Sequence, residues 1–249
     1  FWEIQRVDSG EELLDDMNTY VSQPDAPGRV PAVIVVQEAF GVNQNIQSIC
    51  DRFAAAGYFA VAPALFHREG ATEEMRGTNP IFGYTEMDKV MPVMGNLNDD
   101  LIIRDINTTI DWLQRHPRVQ GDQIGITGFC MGGRVVYLAA AACPGIGAAS
   151  VFYGGNIMSP WGGPPVPFDR TASVQCPVMG NFGADDGNPT PDDVAKIEAE
   201  LKKHGKVTDF KIYPGANHGF MCDDRASYHQ ASADDAWDRT LGWFKKHLA

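Results

Sequence analysis

Several things are scarce in this chain, and each shortage removes a class of function. Its 249 residues include five cysteines, at positions 50, 130, 143, 176 and 222. The number is odd, the spacing irregular and no C-x-x-C pair occurs. That argues against a disulfide framework or a zinc site and fits a reducing cytoplasm. Cationic residues are the minority, 20 Lys and Arg against 32 Asp and Glu, for a formal charge of −12. With no Lys/Arg-rich run, nucleic acid and anionic membranes are poor partners, and an anionic ligand would need a local cationic pocket. The apolar runs are too short, or too broken by Gly and Pro, to span a bilayer. No internal repeat or low-complexity linker is present. Nothing like a heptad pattern demands association, so a monomer or weak homo-oligomer is expected. No metal or cofactor is implied.

What is present alternates. Ala32 to Val36 is a continuous β-branched run, the pattern of a buried parallel strand. Asn43 to Ala56 is helical, with Ile46, Ile49, Cys50 and Phe53 on one face and Gly57 as its stop. Tyr58 to Ala62 reads as the next strand. Asp99 to Arg115 carries Ile102, Ile103, Ile106, Ile110 and Leu113 at helical spacing and stops before Pro117. Further strands are expected at 148–153, 178–182 and 210–213. Helices are expected from Thr190, which offers an N-cap ahead of Pro191, and over Ser232 to His247. This order predicts one α/β domain with a mostly parallel central sheet and helices on both faces. Residues 1–29 would form an edge segment. Two long connections, 67–98 and 154–176, suit lids or pocket walls.

Between a strand and a helix lies Gly128-Phe129-Cys130-Met131-Gly132-Gly133. It is the G-x-S-x-G nucleophile elbow of α/β-hydrolases with cysteine in place of serine. A tight strand-to-helix turn strains the central residue, and its flanks have no room for side chains. The turn lifts the sulfur above the sheet edge and leaves the backbone N–H of Met131 to face a developing oxyanion.

In such folds the acid and then the histidine follow the nucleophile along the chain. His218, in Gly215-Ala216-Asn217-His218-Gly219-Phe220, falls between the last strand and the last helix. Phe182-Gly183-Ala184-Asp185-Asp186 follows the preceding strand and offers two carboxylates, one to orient the imidazole and one to serve the turn. Upstream, Gln37-Glu38-Ala39-Phe40-Gly41 follows the first buried strand, where the second oxyanion-hole N–H of this fold arises. Glu38 would bring a carboxylate close to the thiol. Cys50, Cys143 and Cys176 read as packing residues, and Cys222, four residues after His218, is a candidate to line the pocket.

Over almost its whole length the chain resembles the dienelactone hydrolases (carboxymethylenebutenolidases). The likeness runs through residues 37–43, Ala56-Gly57-Tyr58, residues 62–66, the elbow, Phe152-Tyr153-Gly154-Gly155, residues 183–186 and residues 213–220. It implies a triad of Cys130, Asp186 and His218, the aspartate falling three residues after the glycine matched by Gly183. It also implies that Glu38 holds the resting thiol protonated and accepts its proton when substrate arrives, with backbone N–H groups of Ala39 and Met131 holding the oxyanion. Two positions depart from the family pattern: Gln37 stands where histidine is common and Ala64 where aspartate is common. The family's substrate-binding arginines match no position one for one, which leaves Arg76, Arg134 and Arg225 as candidates, with Tyr153 and Trp161 as candidate walls of the site.

The expected reaction is attack by the Cys130 thiolate on an ester or lactone carbonyl, followed by hydrolysis of a thioester with His218 as base. From a tetrahedral intermediate on an amide, thiolate would leave before the amine, so activated esters and lactones are favoured as substrates. A general carboxylesterase would use the same residues. A non-catalytic thiol sensor or binding protein would need a resolving cysteine, and the sequence offers no obvious pair.

Overall fold

The computed structural model describes residues 3–7, 17–25, 27–68 and 81–248. Eight strands form one sheet: β1 (Glu3–Val7), β2 (Met17–Ser22), β3 (Val30–Val36), β4 (Phe59–Pro63), β5 (Val119–Phe129), β6 (Ala148–Phe152), β7 (Val178–Gly183) and β8 (Thr208–Tyr213). Their spatial order is β1-β2-β4-β3-β5-β6-β7-β8. The first two strands join antiparallel at one edge, and every pairing from β4 to β8 is parallel.

The central strands are apolar at successive positions because both faces are covered. Val33 and Val35 face a cluster built with Ile46, Ile49 and Phe53 of α1 (Gln44–Ala55) and with Ala236 and Phe244 of α6 (Gln230–His247). Ile34 and Val36 face the opposite cluster. There they meet α3 (Asp99–Arg115), α4 (Met131–Ala142) and α5 (Pro191–Lys203) through Ile106, Val135 and Ile197. The caps follow from local chemistry. Asn43 accepts the backbone N–H of Ile46, Asn98 those of Asp100 and Leu101, and Thr190 forms a capping box with Asp193.

Both long connections hold regular structure that the sequence pattern did not disclose. Residues 87–95 form a helix, α2 (Met87–Gly95), although Pro92 lies within it. A proline inside a nine-residue segment reads as a breaker, yet burial of Val90 and Val93 holds the turns together. Pro167–Ser173 forms a 3-10 helix within the second connection. Among the described residues no helix is long and apolar enough to cross a membrane.

Candidate active site

The elbow is built as its sequence demands. Cys130 has φ 58° and ψ −119°, a strained conformation for a residue other than glycine. A Cβ on Gly132 would collide with the carbonyl oxygens of Val36 and Gln37, and one on Gly128 with that of Gly132. These contacts seat α4 against the ends of β3 and β5. Met131 opens the helix, so its N–H has no acceptor within the helix.

Three loops converge on Cys130. After β8, His218 places Nδ1 2.8 Å from Oδ2 of Asp186. Oδ1 of Asp186 accepts the N–H of Asn188 at 2.8 Å, and the carboxyl group is almost wholly buried. Asp185 is exposed, and its own N–H binds the carbonyl of Ala216. Of the adjacent pair, Asp186 is therefore the one that meets the imidazole. The Cys130 side chain also stands close enough to His218 to act on its charge. Burial alone would disfavour its charge, but Asp186 and Cys130 outweigh that and push the imidazole pKa up to about 10.

After β3, residues 38–41 turn tightly, with the N–H of Gly41 on the carbonyl of Glu38. Gln37 ties this turn to the end of β4. Its Oε1 accepts the N–H of Leu65 at 3.1 Å and its Nε2 reaches the Glu38 carbonyl at 3.4 Å. Glu38 itself is fully buried, and among the described residues neither of its carboxylate oxygens has a hydrogen-bond partner. Nη1 of Arg225 lies 3.6 Å from Oε1. Burial raises the Glu38 pKa, while Arg225 and His218 pull it the other way.

Tyr153 is wholly buried, its ring edge-on to His218 with centroids 5.2 Å apart. Cys222 lies in the same neighbourhood, its Sγ 3.2 Å from the hydroxyl of Tyr84 and within the electrostatic reach of Glu38. Tyr84 is a site residue that the motifs did not reveal. Its hydroxyl also accepts from Asn43 at 3.3 Å, and its ring packs edge-on to Phe40. The adjoining backbone is pinned by the N–H of Phe82 on the Phe40 carbonyl. An aromatic residue in a long connection carries no signal until that connection is folded onto the turn it covers.

Three candidates for substrate contact need correction or fall aside. Arg134 is completely buried, and its guanidinium is taken up by partners within the fold. It binds both oxygens of Asp99 at 2.5 and 2.9 Å, and donates to the carbonyls of Asn156 and Ser159. Trp161 lies over that guanidinium at 3.8 Å and lines a surface hollow with Asn98 and Gly162, so its contacts here are with Arg134 and that hollow. Arg76 lies outside the described residues. Among the described residues no cluster of His, Cys, Asp or Glu could hold a metal.

A mostly parallel sheet with a strained elbow, an acid loop and a histidine loop at the carboxyl ends of its strands defines an α/β-hydrolase. The model of the dienelactone hydrolase family matches residues 17–248. A Yersinia pestis protein named "putative carboxymethylenebutenolidase" is 35% identical over 237 residues, 94% of this chain and 85% of that protein. One of the same name from Synechocystis is 36% identical over 233 residues, covering 92% of this chain and 91% of that protein. The crystal structure of a "putative dienelactone hydrolase" from Klebsiella pneumoniae superposes with a TM-score of 0.87 at 33% identity, covering 99% and 98% of the two chains. The chain belongs to the dienelactone hydrolase family.

Proposed function

We propose that this protein opens lactones, or cleaves activated esters, with Cys130 as nucleophile. The observation that carries the reading is the order Asp186–His218–Cys130, an imidazole held between a buried carboxylate and a thiol. The relatives' name, carboxymethylenebutenolidase, points to an unsaturated lactone as the substrate class.

The thiol proton passes to Glu38, whose buried carboxyl group holds a proton readily. The Cys130 thiolate then adds to the carbonyl carbon, and the backbone N–H groups of Ala39 and Met131 receive the oxyanion. On collapse, the carbon–oxygen bond to the leaving group breaks and His218 gives its proton to the departing oxygen. Acylation removes charge from sulfur and with it one cause of the raised His218 pKa, which leaves a neutral imidazole to take a proton from water. Water adds to the thioester, the thiolate departs, and Glu38 returns the proton. Arg225 supports a substrate that itself carries a carboxylate, since such a group would draw the guanidinium from Glu38 and raise that residue's basicity.

Ultraviolet-monitored opening of a dienelactone, beside hydrolysis of a nitrophenyl ester, tests the proposal with wild type, Cys130→Ala and Glu38→Gln. Fast lactone turnover lost in Cys130→Ala is expected. Ester cleavage without lactone opening would mean a general esterase. Turnover of neither, with reversible oxidation of Cys130, would favour a thiol sensor.

A further inference from the structure

Tyr153 departs from ordinary packing in two ways at once, both beside Cys130. Its φ is +36°, in a region that residues other than glycine rarely occupy. Its hydroxyl is fully buried without a hydrogen-bond partner among the described residues, although a buried phenol normally has one. Packing explains neither. The ring fills its place among Phe129, Phe152 and Phe220, and phenylalanine would fill it equally well.

The position is held firmly. The Tyr153 N–H donates to the carbonyl of Asn181 at 2.8 Å, and the next residue, Gly154, abuts the backbone of Gly133 in the elbow helix. The side chain stands edge-on to His218, and its hydroxyl feels the charges of Glu38, Cys130, Cys222 and Arg225. Burial, reinforced by Glu38 and the two thiols, pushes its pKa far up, so the phenol stays neutral and able to donate.

We propose that Tyr153 donates a hydrogen bond to the departing oxygen of the ester or lactone, the same oxygen that takes the proton from His218. The assignment rests on Cys130 being the nucleophile. As the tetrahedral intermediate collapses, the carbon–oxygen bond breaks and its electron pair settles on that oxygen. The His218 imidazolium supplies the proton, while the Tyr153 O–H bond stays intact and stabilises the charge that develops before transfer. A donor with no partner among the described residues and one in the transition state contributes to rate without strengthening ground-state binding.

Tyr153→Phe keeps the ring and removes the donor. It is compared with wild type on phenyl esters graded from nitro- to alkyl-substituted leaving groups, with Tm and the pH dependence of Cys130 alkylation by iodoacetamide measured alongside. The expected kcat loss grows from a few-fold on the nitrophenyl ester to about a hundredfold on the poorest leaving group. Tm should be unchanged or higher and the alkylation profile unmoved. An equal loss across the series, or none, overturns the assignment. So does a Tm several degrees lower, which would make the hydroxyl structural, or an upward move of the alkylation midpoint, which would give it to the thiolate. Wild-type turnover that survives Cys130→Ala would refute the nucleophile itself, an outcome separable from any behaviour of Tyr153→Phe.

Discussion

Replacing Arg134 with methionine separates a cation that greets substrate from one that holds the fold. The substitution leaves the Asp99 carboxylate, 3% exposed, without its counter-charge, and takes the donor from the carbonyls of Asn156 and Ser159. Deleting one partner of a buried pair costs about 3–5 kcal/mol, since the charge left behind has lost water and gained nothing. Whole-chain stability is typically roughly 5–15 kcal/mol, so this is a large share. In a chain of this length each kcal/mol moves Tm by roughly 2–4 °C, which puts Arg134→Met roughly 6–20 °C below wild type. Thermal unfolding followed by circular dichroism, with urea unfolding followed by tryptophan fluorescence, gives the number. Adding Asp99→Asn should recover about half the loss, because the stranded charge is then gone. A Tm within about 2 °C of wild type, with a rise in KM confined to anionic esters, would refute this account and return Arg134 to the substrate.

Other perturbations follow from the same geometry. With the His218 pKa raised to about 10, the imidazolium persists through neutral pH and is lost only as pH rises through that value, so kcat/KM should fall on an alkaline limb far above 6.5. Asp186→Asn should move that limb downward. In the proposed mechanism Glu38 accepts the thiol proton as a carboxylate, and its pKa is raised, so the acid limb should lie above 4.5 and vanish in Glu38→Gln. Gly132→Ala drives a methyl into the Val36 and Gln37 carbonyls and should destabilise by about 2–3 kcal/mol, with Cys130 labelling by iodoacetamide slowed. Burial pushes the Asp105 pKa up, but hydrogen bonds from His67 and Arg68 outweigh it and hold the carboxyl below 3.8. Its contribution is present above the unfolded value and fades as pH falls through the folded one. The stability gap between wild type and Asp105→Asn, measured by urea unfolding, should therefore narrow at strongly acid pH.

The parts of this molecule that were readable in the chain are those whose cause is local. Asp99 to Arg115 is a helix because its apolar residues repeat every three to four positions and Asn98 caps it, all of which the sequence displays. The elbow was readable because the spacing of its glycines around Cys130 is written in six consecutive residues, even though the carbonyls that forbid a side chain at Gly132 belong to Val36 and Gln37, far upstream. Arg134 was misjudged for the opposite reason. A lone arginine in an apolar helix looks functional until Asp99, 35 positions earlier, is folded against it. Tyr84 escaped notice because its partners Asn43 and Cys222 lie 41 and 138 positions away. The α2 helix was hidden by Pro92, whose local preference was overridden by burial of its neighbours.

The backbone strain at Cys130 belongs to the turn and not to the sulfur. Its φ and ψ are imposed by the crowding of Gly128 and Gly132 against β3, so the scaffold is indifferent to which short side chain projects from it. A single-atom exchange of sulfur for oxygen would leave every carbonyl and helix where it stands and change only the acidity and nucleophilicity of the group the turn presents. Such a fold can pass between thiol and alcohol chemistry over one short evolutionary step, while the surrounding loops decide which molecules are admitted.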